Sequence, residues 1–221
     1  MKKTILLLVG ISLFTGSVFS QIKYGFALGA NTSTLKGDAM QSLNNVFDLT
    51  NGIVSQSSHT GISARVFSEI PVSEKFSVEP GLSFNQRGYS LKGELTSTFL
   101  KLLNANASLS VTTNYVGVDL LAKINPVGGL SIKLGPQVNY LAGSDLKLKA
   151  SVLGFNLVNE KIDITGNMKK IDAGLTGAIQ YEFSNGVSIS GFYTHGLSPV
   201  DENSNFKAYN RTAGITLGFS F

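Results

Sequence analysis

His195, Ser198 and Asp201 supply the residue types of an acyl-transfer triad: an imidazole base, a hydroxyl nucleophile and a carboxylate to orient the base. No glycine-flanked nucleophile elbow and no oxyanion-hole signature accompanies them, so the expectation is a polar loop margin and no catalytic residue. His59 is the one other histidine, and the chain has no cysteine. Asp145, Asp163, Asp201 and Glu202 are scattered among loop-like segments without metal-ligand spacing, so neither a metal nor any other cofactor is expected.

A second set of charges is better organised. Lys23, Arg65, Glu69, Glu79, Asp119, Lys123, Lys133, Asp172 and Glu182 each fall on the small, polar side of a segment whose residue types alternate with period two. Side chains of a strand point alternately to opposite faces, so each of these charges is directed away from an apolar face. Acids and bases nearly balance, which predicts ion pairs in a hydrogen-bonded plug of structural purpose, since an unpaired buried charge costs several kcal/mol.

Eight such segments can be read: Ile22 to Asn31, Gly61 to Ile70, Phe76 to Arg87, Tyr115 to Asn125, Leu130 to Leu141, Ile171 to Phe183, Val187 to Leu197 and Asn210 to Phe221. Pro80 within the third predicts a bulge. Short connections (Pro71 to Lys75, Pro126 to Gly129, Ser184 to Gly186) alternate strictly with long ones (Thr32 to Thr60, Gly88 to Asn114, Ala142 to Lys170, Ser198 to Tyr209). Outer-membrane barrels distribute periplasmic turns and extracellular loops in this rhythm.

A soluble ligand-binding barrel would put its large apolar residues inside and polar residues outside. Here the second face is mostly Gly, Ser, Thr, Ala and Asn, too small and too weakly charged for a solvated exterior. Charged residues make up 14% of the chain against 43% hydrophobic, with 24 glycines, which favours lipid outside and a narrow interior. The expected fold is therefore all-β: an eight-stranded antiparallel up-and-down transmembrane β-barrel with four long extracellular loops and three short periplasmic turns. A lumen of that strand number is filled by its own side chains, so no open pore is expected. Aromatic residues gather at both ends of the segments, Tyr24, Phe26, Phe76, Tyr181, Phe183, Phe219 and Phe221 at one and Phe84, Tyr140 and Tyr193 at the other, as two headgroup girdles. Arg211 lies on the outward face but near a strand end, where it can reach anionic headgroups.

Lys2 and Lys3, the apolar run Ile5 to Phe14 and the small stretch ending at Ser20 read as an export signal, giving a signal peptide over 1–20 and a barrel domain over 21–221. Without the two lysines the basic residues fall from 18 to 16 against 14 acidic, and nothing suggests a nucleic-acid partner. Among the long connections, Leu35 to Asn51 has the spacing of a short helix, Leu95 to Leu103 is apolar for a surface loop, and Asp145 to Ala150 alternates as if extending the fifth strand.

Gly25-Phe-Ala-Leu-Gly-Ala-Asn-Thr-Ser33, Phe76-Ser-Val-Glu-Pro-Gly-Leu-Ser-Phe84 with Arg87-Gly88, Tyr115-Val-Gly-Val-Asp-Leu-Leu-Ala-Lys123, Leu134-Gly-Pro136 and the closing Asn210 to Phe221 occur in the order of the PorT-like outer-membrane β-barrel proteins of the Bacteroidetes type. The chain resembles that family over nearly all of its expected mature length. The resemblance implies insertion into the outer membrane of a Gram-negative bacterium by the barrel assembly machinery, with Phe219 and Phe221 in the assembly signal. The expected role is structural or interactive, through loops that meet an envelope or extracellular protein, with outer-membrane lipids around the wall. The alternative is a lipid-modifying enzyme built around His195.

Overall fold

A computed structural model describes residues 22–37, 54–94, 106–152, 155–200 and 207–221. The expected signal over 1–20, most of the helix proposed within Leu35 to Asn51 and the apolar stretch Leu95 to Leu103 lie outside them.

The strands are β1 (Lys23–Lys36), β2 (Val54–Ser73), β3 (Phe76–Glu94), β4 (Asn106–Val127), β5 (Leu130–Val152), β6 (Phe155–Asp163), β7 (Ile171–Glu182), β8 (Val187–Pro199) and β9 (Tyr209–Ser220). Eight of them close a ring: β1 to β5 pair in chain order, β5 then pairs with β7, β8 and β9 follow, and β9 returns to β1, every pair antiparallel. Closure leaves no unpaired edge within the ring, the condition for crossing a bilayer with strands. At the seam Phe26 faces Phe219 and Leu28 faces Leu217. The Phe221 N–H donates to the Tyr24 carbonyl at 2.8 Å and the Tyr24 N–H to the Phe221 carbonyl at 3.0 Å, so the last residue completes the final rung.

The three short connections gather at one end of the ring, here the turn end. Glu74-Lys75 and Gly128-Gly129 are two-residue turns between the pairs Ser73↔Phe76 and Val127↔Leu130. Gly129 at φ 78° and Gly186 at φ 83° occupy the left-handed region that such tight reversals require and that a Cβ disfavours. Pro80 forms no bulge: β3 stays in one register with β4 through Glu79↔Leu121, Pro80↔Leu120 and Gly81↔Asp119. On its other side the ladder passes from Phe67↔Gly81 to Ile70↔Val78 without a shift, and the irregularities of that pair fall at Ser58/Ser63 and Pro71/Ser73.

Strands β2 to β5 run 20, 19, 22 and 23 residues, about twice the 9–11 that cross a bilayer. Much of what the alternation assigned to long loops is thus strand. The upper part of β5 does extend over Asp145–Ala150, and β6 pairs with it from Asp145↔Asp163 to Val152↔Phe155, raising one side of the barrel into a wall at the loop end.

Polarity inverts where the wall begins. In the ring, Leu82, Val116, Val118, Leu120, Ile132, Leu134, Ile179 and Leu217 face out and are about half or more exposed, the signature of a lipid-facing band. Higher on the same strands the outward rows become polar: Gln86 bonds Asn114 at 3.1 Å, the Ser90 and Ser110 hydroxyls share a bond of 3.0 Å, and Lys161 pairs with Asp145 at 3.0 Å. The inward rows become apolar, with Tyr89 opposite Val111, Val111 opposite Leu146, and Leu91 opposite Leu109. A bulge at Ala142, between Asn114↔Gly143 and Tyr115↔Leu141, lets β5 follow the change.

Candidate functional site

Sequence-expected plug residues converge inside the ring in two separate groups. The lower group centres on Glu79, fully buried, whose carboxylate is shared by three cations from three strands. Lys133 Nζ on β5 lies 2.8 Å from it, Arg65 Nη1 on β2 at 3.0 Å, and Lys123 Nζ on β4 at 3.7 Å. Arg65 also grips Asp119, through Nη2 at 2.6 Å and Nε at 2.9 Å. Lys123 reaches Glu69 at 2.8 Å and Glu182 at 3.5 Å, and the Ser77 hydroxyl donates to Glu69 at 2.9 Å.

Close approach here depends on Gly81, since a Cβ at that position would lie 2.7 Å from Arg65 Nε and 2.8 Å from Asp119 Oδ1. Phe67 points inward between two cations, its ring centroid 4.8 Å from the Arg65 guanidinium carbon and 5.1 Å from Lys133 Nζ.

Asp172 belongs to a different layer nearer the loop end. Its carboxylate takes Arg87 Nη1 at 2.6 Å and is held by Asn139 at 3.3 Å, Asn210 at 3.3 Å and Ser198 at 3.5 Å. Arg87 is 1% exposed and lies over the Tyr115 ring at 5.3 Å. Lys23 joins neither layer. It is exposed at the turn end, beside Lys123, Asn125 and Glu182, and makes no ion pair with a described residue.

Between the layers lies a cavity of about 90 Å3 lined by Ser63, Ser83, Asn85, Gln137, Thr176 and Thr194 among others. Hydrogen bonds cross its walls in relays, Asn31 to Ser63 at 2.8 Å and Ser63 to Asn85 at 3.0 Å on one side, Thr176 to Gln137 at 2.8 Å on the other. Above Arg87–Asp172 the mouth is covered by a small apolar cluster of Leu35, Val200 and Ala208 packed with Tyr89 and Met168.

Arg87, Phe67 and Tyr115 had no place among the expected lumen residues. Arg87 and Tyr115 end the alternating segments where the apolar side switches faces, yet each keeps the inward parity of its own segment, with Asn85 and Glu79 before Arg87 and Gly117 and Asp119 after Tyr115. Phe67 shares the inward parity of Arg65 and Glu69, which was a usable signal.

The triad types do not assemble. His195 is exposed on the outer face beside Tyr193, with ring centroids 6.4 Å apart, whereas Ser198 turns inward to Asp172 and accepts the Ala173 N–H at 2.8 Å. Asp201 lies outside the described residues. Among the described residues no three potential metal ligands come together.

A closed antiparallel ring with an apolar exterior and an ion-paired interior defines an integral membrane β-barrel. The family described as outer membrane protein beta-barrel domain matches residues 17–202, and the chain belongs to that family and resides in the outer membrane. Solved structures similar to it include Neisserial surface protein A, at 10% identity and TM-score 0.45 over 89% of this chain and 95% of that one. They also include Ail, the attachment invasion locus protein of Yersinia pestis, at 13% identity and TM-score 0.45 over 90% and 98%. The outer membrane protein OprG of Pseudomonas aeruginosa is similar at 14% identity and TM-score 0.36 over 90% and 94%. No curated protein matches the sequence.

Proposed function

We propose that this barrel is a non-conducting, non-enzymatic interaction protein that holds its raised wall outside the cell, with both termini and the short turns in the periplasm. One observation carries the reading: strands β2 to β5 continue well past the lipid-facing band and change polarity to suit water outside the wall. A barrel needed only to span lipid has no use for that length. The two ion-pair layers support closure, because each charge in them is matched within a lumen already narrow at this strand number. Opposite orientation of His195 and Ser198 supports the absence of lipid chemistry. The motif order of the PorT-like barrels fits the same assignment without adding a secretion role.

Surface crosslinking on intact cells, with lysines of the wall such as Lys147 and Lys161 as handles, tests it. Labelling from outside and a recovered envelope or extracellular protein partner are expected. Labelling only after the outer membrane is permeabilised would reverse the orientation, and large single-channel conductance in planar bilayers would overturn closure. Restoration of a lost lipid modification by wild-type protein but not by His195→Ala would favour the enzyme instead. Phe221, in the final rung, acts as part of the signal read by the assembly machinery, so removing it lowers insertion in cells.

A further inference from the structure

The outer surface carries one feature that neither the plug nor the wall explains. Outward rows of β8, β9 and β1 meet in exact pairs, and at their loop ends these rows turn basic. Arg211 faces the same side as Ala213, Ile215, Leu217 and Phe219, with His195 as its cross-strand partner on β8 and Thr34 on β1. Lys36, exposed, stands opposite Tyr209 two pairs higher. No described carboxylate forms an ion pair with Arg211, His195 or Lys36; Asp38, Asp201 and Glu202 belong to adjoining segments outside the described residues.

Arg211 is held in place. Nη1 donates to the Gly196 carbonyl at 2.9 Å and the Asn210 carbonyl at 2.8 Å, and the guanidinium carbon lies 5.8 Å from the Tyr209 ring centroid. A guanidinium offers five N–H donors in a planar fork suited to phosphate, and neither Nε nor Nη2 bonds a described residue. Its rotamer freedom is already spent on the wall, so binding an anion costs little further ordering.

Below this basic edge the outer surface is hollowed. A groove runs past Gly177, Gly191 and Ala213, with Ile132, Leu134 and Ile179 on one side, Ala30 and Ile215 on the other and Tyr193 at its upper end. A Cβ at Gly191 would meet nothing within 4 Å, and one at Gly177 would first meet Leu134 Cδ1 at 3.7 Å. Gly191 and His195 are four positions apart, about 13 Å along a strand, so the basic edge and the groove lie within the span of one lipid molecule.

We infer that this face binds a phosphate-bearing membrane lipid, its headgroup on Arg211, His195 and Lys36 and one acyl chain in the groove over Gly177 and Gly191. Charge complementarity selects the phosphate, and continuity of the groove with the lipid-facing band selects a lipid as its source. The bound molecule fills this hollow in the band and shields Arg211 from hydrocarbon.

Native mass spectrometry of the full-length folded barrel in detergent tests this with three probes: a short-chain phosphatidic acid, the phosphatidylcholine of equal chain length, and inorganic phosphate. One phosphatidic acid retained per barrel, at least tenfold tighter than phosphatidylcholine, is expected. Arg211→Gln with Lys36→Gln should abolish that preference, and Gly191→Leu should weaken phosphatidic acid binding by filling the groove without meeting the wall. Asp201→Asn with Glu202→Gln should leave binding intact or tighten it. Heat-modifiable gel migration of each variant confirms that the barrel has folded. Equal retention of the two lipids, an Arg211 and Lys36 double variant that binds as wild type, unchanged binding by Gly191→Leu, or inorganic phosphate bound as tightly as the lipid would each overturn the proposal.

Discussion

The two halves of β4 use one backbone geometry for opposite purposes. From Val116 to Ile124 the outward residues are Val116, Val118, Leu120, Ala122 and Ile124, while Gly117, Asp119, Leu121 and Lys123 face the lumen. From Ser108 to Asn114 the outward residues are polar and the inward ones include Val111 and Leu109. Pairing with β3 continues unbroken through the change, from Phe76↔Ile124 to Glu94↔Asn106. What inverts is the medium on each side, since lipid meets the outside of the lower half and water the outside of the upper half. The upper edge of the membrane is therefore written in this strand as a phase change at Asn114 and Tyr115.

The lower half should be hurt most from within. Glu79→Gln keeps the shape of the side chain but removes the charge shared by Arg65, Lys123 and Lys133, and breaking a buried pair of this kind typically costs about 3–5 kcal/mol. Reversible urea unfolding of the barrel in lipid vesicles measures it. Glu79→Gln combined with Lys133→Met should recover part of the loss. A double variant no more stable than the single one would mean that Lys133 is not the charge left stranded.

The same substitution placed on the two outer faces separates lipid from water directly. Val118→Lys sets a cation at the middle of the lipid band and should cost about 2–4 kcal/mol. Ser110→Lys, on the same face of the same strand in the wall, should stay within about 0.5 kcal/mol of wild type. Equal costs would place the membrane edge elsewhere. A third pair examines the inner face of the wall: Val111→Ala, at a site 2% exposed, should cost about 1–2 kcal/mol by the methyl groups removed, and Thr112→Ala, its outward neighbour, almost nothing.

Much of this molecule could be read from period-two alternation, because one buried face fixes the phase of a strand and a one-residue slip would invert every side chain. Thus Leu82, Val116, Val118, Ile132 and Leu217 were legible as outward and Asp119, Lys123 and Lys133 as inward. The expected strands stopped at Arg87, Tyr115 and Leu141 because the apolar residues change sides there, and a rule that follows only hydrophobic alternation takes a phase change for an end. Partner choice was less legible. Arg87 on β3 meets Asp172 on β7 across the lumen, and which heights coincide across a closed ring depends on its stagger, a property of all the registers together. For the same reason Asp172 could be expected among inward charges but not assigned to a layer apart from Glu79. The seam was legible in part, as an aromatic end on the last strand, although its partner Tyr24 is fixed only by closure.

The weakest contrast sets a carboxylate in water against Glu79 in the lumen. Asp163 ends β6 on the wall, fully exposed, and accepts the Thr165 backbone N–H at 2.8 Å. The Thr165 hydroxyl and then that N–H hold its carboxyl below the usual aspartate value. Because the folded-state pKa is depressed, the contribution to stability is present above the unfolded pKa and is lost as pH falls through the folded one. Wild type and Asp163→Asn should thus differ slightly at neutral pH and converge in acid. NMR titration of the Asp163 carboxyl should give a midpoint below that of an unstructured aspartate, moving upward in Thr165→Val. A midpoint at the ordinary value would mean that water competes successfully with both Thr165 donors. Glu79→Gln should still unfold the barrel more readily than Asp163→Asn at neutral pH, because a neutral amide cannot supply the charge that Arg65, Lys123 and Lys133 share.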